Sequence, residues 1–334
     1  MKNKNTAILG LITLILISVM VAGCQTQTAT KTVAKTTSNH KINIPGSQFP
    51  SNRFFFLAQE KGFFKQEGVD AVVRDIPDDQ VIQAFAAGEF DFLHVSPDWF
   101  AIIKSQGVDG NQILYFEKCI FCEGLAVSKN ITSLKDLKGK KVALWEGTLL
   151  HFQLLLALKD QGLTKDDIEI VSLPPDQAII AFIAGDVDAA AAYQPWLSQY
   201  KEREGAKLLY VDKDLSIPGF SSLAASNDMI KNRPEDVKAV LRGYFRAVEY
   251  WKENTTEANE IMGKSIGISG AEFQQYMNMT HMLDYEESVG MIKDGTVDNM
   301  INQANDIWLK EGIIKKPLTK QESFDGSLLE NISS

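Results

Sequence analysis

Ala84-Phe85-Ala86-Ala87-Gly88-Glu89-Phe90-Asp91 returns 97 residues later as Ala181-Phe182-Ile183-Ala184-Gly185-Asp186-Val187-Asp188. At that same offset a tryptophan follows each copy (Trp99, Trp196) and a proline precedes each (Pro77, Pro174). The period is longer than the roughly 20–50 residues of a solenoid unit. Each copy reads as a helix stopped by glycine, a tight turn and a buried strand. The strands are Phe92 to Val95 and Ala189 to Ala192, with Pro97 and Gln194-Pro195 opening the next helices. Two similar halves with a site between them are expected, and capture of a solute rather than bond chemistry.

On either side of the repeats, strands and helices alternate. Lys41 to Ile44 reads as a strand, Pro45 to Asn52 as a loop, Phe54 to Lys61 as a helix and Val69 to Arg74 as a strand. Asp78 starts the first repeated helix. Around the second copy, Lys141 to Leu144 and Ile168 to Ser172 read as strands, and Thr148 to Gln161 and Asp176 to Ala184 as helices. Such alternation implies βαβ units and mostly parallel sheets. From Pro234 the chain turns helical. Val237, Val240, Leu241, Tyr244, Phe245, Val248 and Trp251 form one apolar stripe at helical spacing, read as core. Thr256 to Gly263, Ser269 to Met277 and Thr296 to Glu311 are further helices. The polar tail after Pro317 is expected to be peripheral.

The N-terminus bears on location. Lys2 and Lys4 precede an apolar run from Ala7 to Val21, which ends in Val21-Ala22-Gly23-Cys24. That pattern reads as a secretory signal over 1–23 with a lipid-accepting Cys24. The run is short for a spanning helix. Residues 24–40, rich in Thr, Gln, Ala, Lys and Ser, read as a flexible tether. Hydrophobic content of 45% and charged content of 23% fit a globular chain with enough residues for two lobes. The formal charge of −9 becomes −11 once Lys2 and Lys4 leave with the signal. An acidic chain argues against nucleic acid as a partner. The expected state is a monomer held by lipid on the outer face of the cytoplasmic membrane.

Beyond Cys24 only Cys119 and Cys122 remain. In an oxidising compartment they can pair, provided the segment turns. Two buried thiols are the other main reading. A metal site lacks a second cysteine pair, and His40, His94, His151 and His281 are scattered. No metal or cofactor is expected.

Lys61-Gly-Phe-Phe-Lys-Gln-Glu-Gly68, the two repeats, Ser133-Leu-Lys-Asp-Leu-Lys-Gly-Lys-Lys-Val142 and Leu173-Pro-Pro175 occur in one order. In that order the chain resembles the extracytoplasmic substrate-binding proteins of the nitrate/sulfonate/taurine class of ABC importers. That group also resembles yeast thiamine-pyrimidine synthases. The resemblance spans about Ile42 to Trp308. It implies an α/β, type II periplasmic-binding-protein fold: two α/β lobes, a hinge of two crossing strands and a helical C-terminal region. Lobe I would hold 41–127 plus 223–334, and lobe II 128–222. The crossing strands would be Gly124 to Ser128 and Ser221 to Ala225. It further implies a permease partner with a cytoplasmic ATPase.

In open α/β sheets, ligands sit beyond the carboxyl ends of strands, where helix N-termini offer free N–H groups. Four such junctions are readable: Pro45 to Asn52, Ser96-Pro-Asp-Trp99, Glu146-Gly-Thr-Leu149 and Tyr193-Gln-Pro-Trp196. They match the family's ligand loops. Sulfonate binders of the family often carry Gly-Ser-Thr-Ser where this chain has Glu146-Gly147-Thr148-Leu149. Ser96, Asp98, Trp99, Glu123, Glu146, Thr148 and His151 are therefore expected at the ligand, with Phe49, Tyr193, Trp196 and Phe220 as aromatic walls. Carboxylates among aromatics suit an amine-bearing or cationic ring, or a pyrimidine-like compound, better than a simple sulfonate. An enzyme of the thiamine-pyrimidine-synthase type shares the fold, but Cys119-Ile-Phe-Cys122 lacks that family's further cysteines. A sensory lipoprotein is a third reading. No Gly-x-Ser-x-Gly, His-Glu-x-x-His or Walker loop is present, so no enzyme activity is expected.

Overall fold

The structure, a computed structural model, describes residues 41–332 apart from 48, 78 and 79. The signal, the tether, Cys24 and the helix start at Asp78 lie outside the described residues. In chain order the first elements are β1 (Ile42–Gly46), α1 (Arg53–Glu60), α2 (Phe63–Gln66), β2 (Ala71–Asp75), α3 (Val81–Ala86), β3 (Phe92–Val95), α4 (Pro97–Ser105) and β4 (Asn111–Cys119). Next come β5 (Glu123–Val127), β6 (Lys141–Leu144), α5 (Leu149–Asp160), β7 (Glu169–Ser172), α6 (Pro175–Ala184), β8 (Ala189–Tyr193) and β9 (Lys207–Val211). The last are β10 (Phe220–Ala225), α7 (Asn227–Asn232), α8 (Pro234–Glu253), α9 (Thr255–Ser265), α10 (Gly270–Met277), β11 (Thr280–Met282), α11 (Tyr285–Lys293) and α12 (Thr296–Lys310), with short helical turns between and after them.

The repeated segments fold alike down to their hydrogen bonds. Gly88 N–H donates to Phe85 O and Glu89 N–H to Ala84 O; Gly185 N–H donates to Phe182 O and Asp186 N–H to Ala181 O. This is the Schellman closure of a helix end. It needs a left-handed residue, and Gly88 (φ 77°) and Gly185 (φ 88°) supply it. Each copy then pins a neighbouring strand with its aspartate. Asp91 Oδ2 accepts from Asn43 N–H at 2.7 Å, and Asp188 Oδ2 from Lys141 N–H at 3.0 Å.

Three sheets result: a β1–β2 pair, a four-stranded sheet ordered β11-β4-β10-β3, and a five-stranded sheet ordered β7-β6-β8-β5-β9. The four-stranded sheet is antiparallel throughout, contrary to the mostly parallel expectation. The cause is β10, which returns from the second sheet and runs between β3 and β4. The five-stranded sheet is mixed: β6 pairs parallel with β7 and β8, while β5 pairs antiparallel with β8 and β9. The chain changes sheet between Cys119 and Glu123, and again between Val211 and Phe220. The stretches 124–128 and 221–225, expected to cross, lie in single sheets. β5 and β10 each have neighbours on both sides and so no free edge to serve another sheet.

Packing explains two further departures. β4, absent from the sequence reading, is the centre of the first core: Ile113, Leu114 and Phe116 are fully buried against α1 and the α8 stripe. The tail after Pro317 is not peripheral. Phe324 packs in the cluster around Trp308, Leu329 in the cluster around α8, and Asp325 N–H donates to Gln112 O. Helix α5 is apolar on nearly every face because it is buried on two sides. Leu150, Leu154 and Leu158 pack on the second sheet, while Phe152, Leu155 and Leu156 pack against Ile307 and Trp308 of α12. Among the described residues no helix is long and apolar enough to cross a membrane.

Candidate ligand cleft

Strand ends from all three sheets converge on one cavity of about 230 Å³. β1 delivers Ser47 and Phe49 beyond its carboxyl end, β3 delivers His94 and Ser96, and α4 adds Trp99 from its first turn. Cys119 closes β4 and Glu123 opens β5; Trp145 and Thr148 come from the β6–α5 loop; Tyr193 ends β8 and Phe220 begins β10. The convergence follows from topology, since side chains at strand ends point into the crevice that helices leave open.

Seven of the expected residues line this cavity: Phe49, Ser96, Trp99, Glu123, Thr148, Tyr193 and Phe220. Four do not. Asp98 is fully buried beneath α4, where its backbone carbonyl accepts from Trp308 Nε1–H at 2.9 Å. Burial raises its carboxyl to a pKa of about 6, against the opposing hydrogen bond from Ser96. His151 is buried against Trp308, and its Nδ1 accepts from Gly147 N–H at 3.2 Å. It shapes the loop rather than facing the cavity. Glu146 is exposed and Trp196 is 38% exposed; neither lines the cavity. The carboxylate expected from Glu146 is therefore supplied from another place.

That place is Glu123. It is 4% exposed, and its Oε2 has no hydrogen-bond partner. Its backbone N–H donates to Asp212 Oδ2 at 2.7 Å, while Gln153 Nε2–H donates to Asp212 Oδ1 at 2.7 Å. Burial, and then the charge of Asp212, hold the Glu123 carboxyl well above its usual range. Gly219 lies against both acids. A Cβ there would stand 2.9 Å from Asp212 Oδ1 and 3.0 Å from Glu123 Oε2, so only glycine lets the backbone come this close. Asp212 and Gly219 were not anticipated; the one local signal was an acid and a Pro-Gly pair after the strand at 207–211.

The other ionisable side chains at the cavity and beside it are neutral or acidic apart from Arg53. Burial, helped by the charge of Arg53, depresses His94 to a pKa of about 3, so its ring is neutral. Glu117 is buried, accepts from Ser221 Oγ–H and Thr280 Oγ1–H, and is raised mainly by burial. The nearby cation is Arg53, whose Nη1 pairs with Asp75 at 2.8 Å; it is not among the lining residues. Opposing the acids is the N-terminus of α5, where Leu149 and Leu150 line the cavity. A helix terminus favours an anion by about 0.3–1 kcal/mol, up to about 2. A carboxylate about 4 Å from a charged group is worth about 4 kcal/mol at an effective dielectric of 20. The charge of Asp212 that raises Glu123 is still there when Glu123 is protonated. The acids thus set the sign of the field.

Cys119 and Cys122 form a disulfide across the turn between β4 and β5. Of the states left open by the sequence, this is the one formed. A bridged sulfur is not a thiolate donor. The groupings of Cys122 with Glu123 and Asp212, and of Glu117 with both cysteines, therefore reduce to carboxylates alone. Cys122 faces a second cavity of about 320 Å³ that also contains Glu117 and Thr280. Phe49 and Tyr193 line both cavities and meet edge to face at 6.2 Å, forming a partition between them.

The fold has known counterparts. The structure of the periplasmic aliphatic sulphonate binding protein SsuA from Escherichia coli superposes with a TM-score of 0.70 at 21% identity, covering 85% of this chain and 92% of that one. The periplasmic-binding-protein fold is therefore the fold of this chain. A Brucella abortus (strain 2308) protein named "Putative binding protein BAB2_1146" is 28% identical over 277 residues, 80% of this chain and 84% of the relative. A Bacillus subtilis (strain 168) protein named "Putative aliphatic sulfonates-binding protein" is 30% identical over 261 residues, 75% of this chain and 76% of the relative. The family described as NMT1/THI5 like matches residues 50–258, more than half of the sequence, and the chain belongs to that family.

Proposed function

We propose that this protein is the solute-capturing receptor of an ABC importer. One lobe consists of 41–119 with 220–332 and the other of 123–211, joined at the two sheet crossings. The observation that carries this reading is a cavity walled by residues of both of these stretches of chain, with Phe49 of one meeting Tyr193 of the other. A solute that touches both walls binds the closed form better and shifts the hinge equilibrium toward it. Ser-His chemistry gains no support, since neither ring nitrogen of His94 has a hydrogen-bond partner. The chain is exported, anchored by lipid on Cys24, and delivers its small organic solute to a permease driven by a cytoplasmic ATPase.

Thermal shift and small-angle scattering on the mature chain, with a panel of sulfonates, amines, amidines and pyrimidines, test capture. A solute at 100 times its dissociation constant stabilises by about 2.7 kcal/mol. The expected result is a raised melting temperature, a smaller radius of gyration and recovery of the solute unchanged. Chemical turnover of the solute, or binding without compaction, overturns the reading.

A further inference from the structure

We propose that the solute of this cleft is a cation carrying N–H groups on a flat or aromatic body, gripped by Glu123. The inference rests on the reading of the cavity as the solute site and specifies its chemistry. An amine, amidinium or guanidinium group meets the description.

Three observations carry it. Glu123 lines the cavity and is buried, and its Oε2 has no hydrogen-bond partner, so a donor from the solute completes the carboxyl. Among the described lining residues there is no lysine or arginine to pair with an anion. Phe49, Trp99, Trp145, Tyr193 and Phe220 supply π faces around that acid, which attract cations and stack on flat groups. The groups acting on Glu123 are Asp212 after β9, Glu117 on β4 and Gln153 on α5, and neutral His94 on β3 lines the same cavity. None is positive. Arg53, whose charge acts on His94, pairs with Asp75 through Nη1, leaves Nε and Nη2 without a partner, and is not among the lining residues. Burial and the charge of Asp212 favour the protonated Glu123 in the empty cavity, so an arriving cation takes the place of one proton, which passes from Glu123 to water, and the net charge is unchanged.

Titration calorimetry of the mature chain with benzamidinium, benzamide and benzenesulfonate separates charge from ring shape. The measurement is made at about pH 6 and about pH 8, in two buffers of different ionisation enthalpy. Benzamidinium is expected to bind at least about tenfold tighter than benzenesulfonate. Its affinity should rise with pH, and its apparent heat should change with the buffer. Glu123→Gln should bring benzamidinium down to the level of benzamide and remove the pH dependence. Gly219→Ala, whose methyl group presses on the same two carboxyls, should also weaken benzamidinium. Agreement of the two variants guards against a misfolded Glu123→Gln. Benzenesulfonate binding as well as benzamidinium, with Arg53→Met losing it and Glu123→Gln keeping it, overturns the cation and leaves capture standing. Absence of any heat from benzamidinium also overturns it, while compaction by other solutes in the panel judges capture separately.

Discussion

The two copies of the repeat share a scaffold and part company at its end. Up to Asp91 and Asp188 they agree in sequence, helix closure and strand pinning. Beyond, the first copy continues into the regular helix α4 and places Trp99 in the cavity wall. The second continues into a 3₁₀ stretch, Trp196–Glu202, and leaves Trp196 outside. Asp98 in the first copy corresponds to Pro195 in the second, so the buried carboxyl exists once. Duplication preserved what holds strands, and divergence acted on what meets the cleft.

The largest effect tests the shared part. Phe85 and Phe182 occupy equivalent core positions, 4% and 0% exposed. Replacing either by alanine should cost about 3–5 kcal/mol in urea unfolding. A cost below about 1 kcal/mol for one of them breaks the equivalence. Next is the acid present in one copy only. Asp98 is protonated more readily folded than unfolded, so the native state loses stability as pH rises from 3.8 through about 6. Asp98→Asn should therefore stabilise by about 1–3 kcal/mol near neutrality and by little below about pH 4. A gain of equal size at both pH values would assign the effect to packing instead. The smallest effect concerns the paired tryptophans. Trp99→Ala should raise the dissociation constant for benzamide about tenfold, and Trp196→Ala by less than about twofold. Equal losses would place both copies at the ligand.

The fold was legible where patterns are local. The repeat, its glycine stops and the α8 stripe need only neighbours in sequence. β4 escaped because a strand buried on both faces, here Ile113 to Phe116, shows no alternation. The tail escaped because its few apolar residues, Phe324 and Leu329, sit singly among polar ones and reach cores built elsewhere. The site was legible as loops but not as directions. Glu146 and Phe49 both lie in ligand-type loops, and only backbone geometry turns one outward and the other in. Glu123 is readable as an acid at a strand start, yet its character depends on Asp212, 89 residues away. No spacing rule connects them.

The two passages between the sheets are unequal. Cys119 to Cys122 is a short loop tied to itself, whereas 212–219 is longer and carries Ile217-Pro218-Gly219. In mechanical terms the first is a pivot and the second a strap. Gly219 O accepts from Cys119 N–H at 2.8 Å, so the strap's last link is fastened to the pivot while it covers the carboxyl pair. For a cleft that opens there, the swing lifts the strap, admits water to both acids and makes their charge cheap. Closing does the reverse. In a receptor of the proposed kind, the motion that traps the cargo would raise the cost of leaving its seat vacant, biasing the empty form open and the loaded form shut.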